Sequence, residues 1–138
     1  MSIEIQERER EGVHILDVTG RLTVGPEVSS LREKLLAMSS AGHTKVVLNL
    51  EEVEYIDSTG LGGLVICFTT LRKAGGALKL LNLSRRNIEL LVLTKLTTVF
   101  EIFSDEQDAV NSFFPGREIK RFDILSFVQG QKPDSPGT

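Results

Sequence analysis

The sequence predicts an α/β protein: a mixed, mostly parallel β-sheet of about five strands with helices on its flanks. Three observations carry this. Val46 to Leu50 (VVLNL), a short apolar run, reads as a strand buried on both faces, and Leu78 to Leu83 (LKLLNL) as a second buried strand. Between and after them, apolar residues recur at helical spacing. Strands and helices therefore alternate along the chain, which implies right-handed crossovers and a largely parallel sheet.

Taken in order, Ser2 to Arg10 is an alternating stretch with few apolar residues, a polar edge strand. Val13 to Val18 (VHILDV) is a second strand, closed by Gly20, and an antiparallel N-terminal pair is expected. Val28, Leu31, Leu35 and Met38 form a helical stripe. Pro26 fits its first turn, where a missing N–H costs nothing, and Ser39 to Gly42 closes it. Lys45 to Leu50 is the next strand. Leu61, Leu64, Val65, Phe68 and Leu71 form a second helical stripe, stopped by Gly75-Gly76, before the strand Leu78 to Leu83. Ser84 is placed to cap a helix carrying Ile88, Leu91 and Val92, with Lys95-Leu96 as its far limit. Thr98 to Phe103 reads as a short strand. Ser104 with Gln107 reads as a capping box opening a helix through Ala109, Val110 and Phe113. Pro115-Gly116 ends the core, so the division is a domain over 1–114 and a C-terminal extension over 115–138. In the extension, Glu118 to Val128 carries Phe122, Leu125, Phe127 and Val128 and reads equally as an added strand or a docking helix. Its aromatic residues suit either a cover for the sheet or a homodimer contact. The last ten residues are rich in Pro, Gly and Ser and are expected to be disordered.

Bulk properties exclude several function classes. A chain of 138 residues suits one domain with a real core. A net charge of −3 with scattered basic residues argues against direct DNA binding and against an anionic membrane surface. A single cysteine, Cys67, allows neither an intramolecular disulfide nor a Cys-rich metal site, and it reads as a packing residue. No stretch has signal-peptide order or the roughly 20 apolar residues needed to span a bilayer, so a reducing cytoplasmic setting is expected.

The stretch that asks for an explanation is Tyr55 to Leu64, YIDSTGLGGL, between a strand and a helix. A dinucleotide fingerprint would need Gly or Ala where Val65 stands and an acid about 20 residues on, where Asn82 and Ser84 stand. The glycines of Gly20 to Gly25 have P-loop spacing, but Pro26-Glu27 replaces Lys-Ser/Thr. No bound cofactor is expected. A nucleophilic Ser58 or Thr59 would need a base. Of the two histidines, His14 sits within a strand and His43 in the loop before Val46, which in a parallel sheet lies at the opposite end from Ser58, so the chain is not expected to be an enzyme. The plainest reading makes Ser58 a helix cap, its oxygen accepting from the N–H of Gly60 or Leu61. That leaves the glycines unexplained, since each costs about 1 kcal/mol inside a helix. At 100° per residue, Gly62, Gly63, Ile66, Thr69, Thr70 and Lys73 turn away from the stripe. The result is a flat outward face that another protein's backbone can approach. A phosphoryl group on Ser58 would add about −1.5 to −2 charges there, tolerated by the helix N-terminus but hostile to a docked partner.

At this point a family resemblance appears. VVLNLEEVEYIDSTGLGGLV, followed by LRKAGGALKLLNLS and LTKLTTVFEIFSDEQDAV, resembles the STAS domains of bacterial anti-sigma-factor antagonists, from about Ile3 to Phe113. Asp57 to Gly62 is its most specific part. The resemblance implies the STAS fold and partner switching. The unphosphorylated antagonist binds an anti-sigma factor that is also a serine kinase, which frees a sigma factor. The kinase phosphorylates the position matching Ser58 and breaks the complex, and a serine phosphatase resets it. Many relatives carry an aspartate where this chain has Thr23, in a loop that contributes to the partner surface. The expected partner surface is thus Thr23, Asp57, Ser58, Thr59, Gly60, Gly62, Gly63 and Ile66, with Ser58 the phosphorylation site and no metal or catalytic residue. Two other readings are a STAS accessory subunit of a membrane transport complex, with Ser58 only a cap, and a small-molecule-sensing STAS module.

Overall fold

A computed structural model describes residues 3–23 and 25–130. Five strands form one sheet in the order β1-β2-β3-β4-β5. Strand β1 (Glu4–Arg10) pairs antiparallel with β2 (Val13–Leu22). Glu11 and Gly12 between them both have positive φ, the conformation that a two-residue hairpin turn favours. All later pairings are parallel: β2 with β3 (Lys45–Ile56), β3 with β4 (Ala77–Leu81), and β4 with β5 (Ile102–Phe103). This is the mixed sheet that the sequence predicts, edge strand included.

Helices α1 (Pro26–Ser40), α2 (Ser58–Lys73) and α3 (Arg85–Leu93) lie against one core. There, Leu16, Leu48 and Leu80 from the sheet meet Leu31, Leu35, Leu64, Leu71 and Leu91, all essentially inaccessible. A smaller core joins Val13, Ile15, Val47, Leu81 and Phe103 to Ala109 and Val110 of α4 (Glu106–Asn111). Full burial of one such leucine contributes about 2 kcal/mol, so two-sided burial explains the mostly apolar runs in β3 and β4, where the buried Lys79 is paired with Glu101 at 2.9 Å.

Several boundaries differ from the sequence reading. Gly20 does not end β2. Its φ of 127° coincides with a register shift, and the strand bends and runs on to Leu22. Strand β3 runs to Ile56 rather than Leu50. Its second half pairs only with β2, and Asn87 of α3 donates from its side chain to the Val53 carbonyl at 3.1 Å. Strand β4 stops at Leu81 because Asn82 adopts a left-handed conformation. Ser84 caps α3 as expected, accepting from Asn87 N–H at 3.2 Å. That helix ends at Leu93, and Lys95, with φ 62°, turns the chain into a single 3-10 turn, Leu96–Thr98. The strand read over Thr98 to Phe103 therefore shrinks to two residues. The cap of α4 is Asp105, which accepts from Asp108 N–H at 3.0 Å, not Ser104.

The extension packs on both cores. Ile119 lies against the smaller one, beside Phe113 and Phe114 at the end of the domain, and Phe122 and Ile124 lie against the larger. Phe122 N–H donates to the Ile102 carbonyl at 2.9 Å, a strand-like contact on the β5 edge. A short helix, α5 (Ile124–Val128), follows, while residues 117–123 form no regular element, so Glu118 to Val128 is neither a full added strand nor a helix throughout. From residue 131 on, the expected disorder falls outside the described residues. Among the described residues no helix is long and apolar enough to cross a membrane.

Candidate functional site

Helix α2 starts where β3 overruns its neighbour β4. Asp57, not Ser58, is its cap: the Asp57 backbone is extended, and its Oδ1 accepts from Gly60 N–H at 2.8 Å. The first helical bond, Leu61 N–H to the Asp57 carbonyl, measures 2.9 Å. Ser58 thus occupies the first helical position. A capping side chain must come from the last non-helical residue, and the turn starts one residue earlier than the sequence pattern suggests. Ser58 and Thr59 are both exposed, and no hydrogen bond holds either hydroxyl among the described residues. Their backbone N–H groups, in the first turn, have no partner within the helix. The site is a solvent-facing hydroxyl beside N–H groups that suit an anion, with the Asp57 carboxylate as its neighbour.

The glycines divide. Gly60 is buried, and an added Cβ would overlap the Leu22 carbonyl oxygen and come within 2.7 Å of its carbon. The same oxygen accepts from Asp57 N–H at 3.1 Å. Gly60 therefore lets the start of α2 sit directly on the end of β2, which places Thr23, the next residue, in the adjoining loop. Gly63, expected to face outward, is also buried, and its missing Cβ leaves room for the Val28 side chain of α1. The α1–α2 packing turns that face inward by more than the simple helical wheel allows. Only Gly62 opens to solvent, with nothing within 4 Å of the point where a methyl group would stand. Ile66, one turn on, is 47% exposed.

Two neighbouring features were not read from the sequence. Leu36 of α1, also 47% exposed, lines a shallow groove with Ile66, Arg32 and Thr70. The Leu35-Leu36 pair was the available signal, since Leu36 falls outside the stripe Val28, Leu31, Leu35, Met38. Beside Thr23, a groove of about 660 Å³ is edged by Glu27, Glu51, Glu52 and Glu54, with Arg21 the basic residue among its lining groups. Carboxylates from the β2–α1 region and the far half of β3 meet there because β3 is longer than its apolar run.

The remaining candidates sit elsewhere. Cys67 is buried, and burial pushes its thiol up to about 11, so it is a packing residue of α2. Arg85 and Arg86 are exposed, yet Arg86 lies over the Tyr55 ring at 4.4 Å and Arg85 over Phe127 at 5.1 Å. His14 and His43 stand at the start of β2 and just before β3, while Ser58 follows the end of β3. A 12-residue strand spans roughly 40 Å at about 3.3 Å per residue, so no imidazole can serve Ser58 as a base.

Comparison with known proteins fits this architecture. The STAS domain model matches residues 4–109. An anti-sigma-B factor antagonist of Bacillus subtilis is 34% identical over 110 residues, 80% of this chain and 99% of that protein. An anti-sigma factor antagonist from Mycobacterium paratuberculosis has the same fold, with a TM-score of 0.68 at 22% identity, covering 80% of this chain and 92% of that one. So does the Bacillus cell fate determinant SpoIIAA in its phosphorylated form, with a TM-score of 0.62 at 20% identity, covering 80% and 99%. The chain belongs to the STAS domain family and is a relative of its anti-sigma-factor antagonists.

Proposed function

We propose that this protein is an anti-sigma-factor antagonist controlled by phosphorylation at Ser58. Its unphosphorylated form binds an anti-sigma factor that is also a serine kinase, and this frees a sigma factor. Phosphorylation ends the complex, and a serine phosphatase restores it. The protein acts in the cytoplasm, binds no DNA itself and catalyses no reaction; the ATP is the kinase's.

One observation carries the reading: Ser58 is an exposed hydroxyl in the first turn of α2, with no hydrogen bond among the described residues, beside an outward face of Gly62 and Ile66. Because Asp57 supplies the cap, Ser58 is released from that duty and can be modified without unravelling the helix. A dianion there would lie beside the Asp57 carboxylate and near the acidic groove edged by Glu27 and Glu54. It would strengthen a local negative field against any partner that docks through neutral or acidic groups. The docking surface comprises Thr23, Asp57, Ser58, Thr59, Gly62 and Ile66, and Gly60 and Gly63 shape it from beneath. The relationship to the Bacillus subtilis antagonist, over almost that protein's whole length, supports the partner class.

The test is site mapping. The chain is incubated with ATP and the serine kinase that acts as anti-sigma factor in its own host, then analysed by peptide mass spectrometry. One phosphoryl group on Ser58 is expected. Modification at Thr59 or elsewhere, with Ser58 bare, overturns the assignment.

A further inference from the structure

The chain has two histidines, and the fold brings them together. His14, at the start of β2, is 9% exposed, and His43 lies in the turn between α1 and β3. Their rings stack with centroids 4.2 Å apart and planes 15° from parallel. Glu7 of β1 projects to the same point, its Oε2 3.1 Å from His14 Nδ1. One ligand atom from each of Glu7, His14 and His43 lies within 4.8 Å of the other two.

We propose that Glu7, His14 and His43 form a binding site for a divalent transition-metal ion of the Zn²⁺ type. Two imidazoles and one carboxylate are a donor set that suits Zn²⁺. In a tetrahedral site with bonds of about 2.0–2.1 Å, neighbouring ligand atoms stand ~3.4 Å apart. The Glu7–His14 pair is already close to that spacing, and rotation of the exposed His43 ring about its own side-chain bonds brings in the third donor. The two oxygens of Glu7 divide the work. Oε1 accepts an ion pair from Lys34 Nζ at 2.7 Å, and Oε2 faces the histidines. Lys34 thereby orients a ligating carboxylate, as outer partners of metal ligands do. The fourth position opens to water through the exposed His43. The ion would tie the edge strand β1 to β2 and to the α1–β3 turn, at the end of the sheet remote from Ser58. It would be a staple, with no contact to the docking face.

The experiment titrates Zn²⁺ alone into the full, tag-free chain by calorimetry in a non-chelating buffer, with Co²⁺ absorption as a second readout. One ion per chain is expected, with a tetrahedral Co²⁺ spectrum. His43→Ala, at an exposed position, should weaken binding at least about tenfold and abolish that spectrum while leaving the circular dichroism unchanged. Glu7→Gln should weaken binding while leaving the circular dichroism unchanged. Absence of Zn²⁺ binding, or wild-type affinity in His43→Ala, overturns the site.

Discussion

Replacing the three motif glycines one at a time by alanine separates the packing role of this turn from its docking role. Alanine is worth about 1 kcal/mol over glycine inside a helix, so each change starts with that gain. At Gly62 nothing opposes it, because no atom beyond the adjoining helix backbone lies within 4 Å of the new methyl among the described residues. Gly62→Ala should stabilise the fold by about 0.5–1 kcal/mol. At Gly60 the methyl collides with backbone: the Leu22 carbonyl carbon would be 2.7 Å away, below the 3.0 Å that real Cβ contacts respect. Overpacking of this kind costs about 1–3 kcal/mol, and displacing the Leu22 carbonyl also disturbs its bond from Asp57 N–H, about 1 kcal/mol more. After the helix gain, Gly60→Ala should destabilise by about 2 kcal/mol. Gly63→Ala collides with a side chain, that of Val28, rather than with backbone, and has Arg32 Cδ at 3.9 Å, so it should fall between the two. Urea denaturation with a common m-value gives the three differences, and about 1 kcal/mol corresponds to roughly 3–5 °C in Tm. If Gly60→Ala is as stable as Gly62→Ala, the account of how α2 seats on β2 is wrong.

Asp57→Ala should cost about 1 kcal/mol through the lost cap, and Ser58→Ala less than about 0.5 kcal/mol; equal losses would return the cap to Ser58. Arg8 pairs with both Asp17 and Glu106, at 2.6 Å each, and its guanidinium holds both carboxyls below the usual carboxylate range. Lowered folded values mean stability that is present at neutral pH and lost as pH falls below about 4, through the folded-state values. The stability difference between wild type and Arg8→Ala should therefore shrink steadily on acidification in denaturant titrations. A constant difference would refute the linkage. Deleting the residues after Gly116 uncovers the β5 edge and removes Ile119, Phe122 and Ile124 from the cores. A loss of about 3 kcal/mol and self-association by light scattering are expected, at about 1 kcal/mol per partly buried side chain. Unchanged stability and mass would show that the extension does not cover the sheet.

The architecture was legible because its signals are local. Burial on both faces leaves mostly apolar runs at Val46–Leu50 and Leu78–Leu81, and one-sided burial leaves the stripe Val28, Leu31, Leu35, Met38 on α1. Boundaries were less legible. Glu51 to Ile56 is half polar, so nothing in its pattern shows that β3 continues along β2 alone. The same limit applied at the site. Sequence pointed to Ser58 and to the outward course of Gly62 and Ile66, since both follow from helix periodicity. It misplaced the cap by one residue, and it turned Gly63 outward. Whether a glycine faces solvent or another element depends on where α1 lies, and no local pattern in α2 encodes that. The meeting of His14 and His43 is likewise a consequence of pairing between β2 and β3 and of where α1 ends.

The central claim is that one phosphoryl group on Ser58 controls partner binding. The direct measurement is the affinity of the purified chain for its host's anti-sigma factor, by calorimetry, before and after stoichiometric phosphorylation of Ser58. Ser58→Ala and Ser58→Asp serve as fixed states. The account predicts tight binding by the unmodified chain and by Ser58→Ala. It predicts a loss of at least about 100-fold, roughly 2.7 kcal/mol, on phosphorylation, and weakened binding by Ser58→Asp. Equal affinity of the phosphorylated and unmodified forms would contradict it.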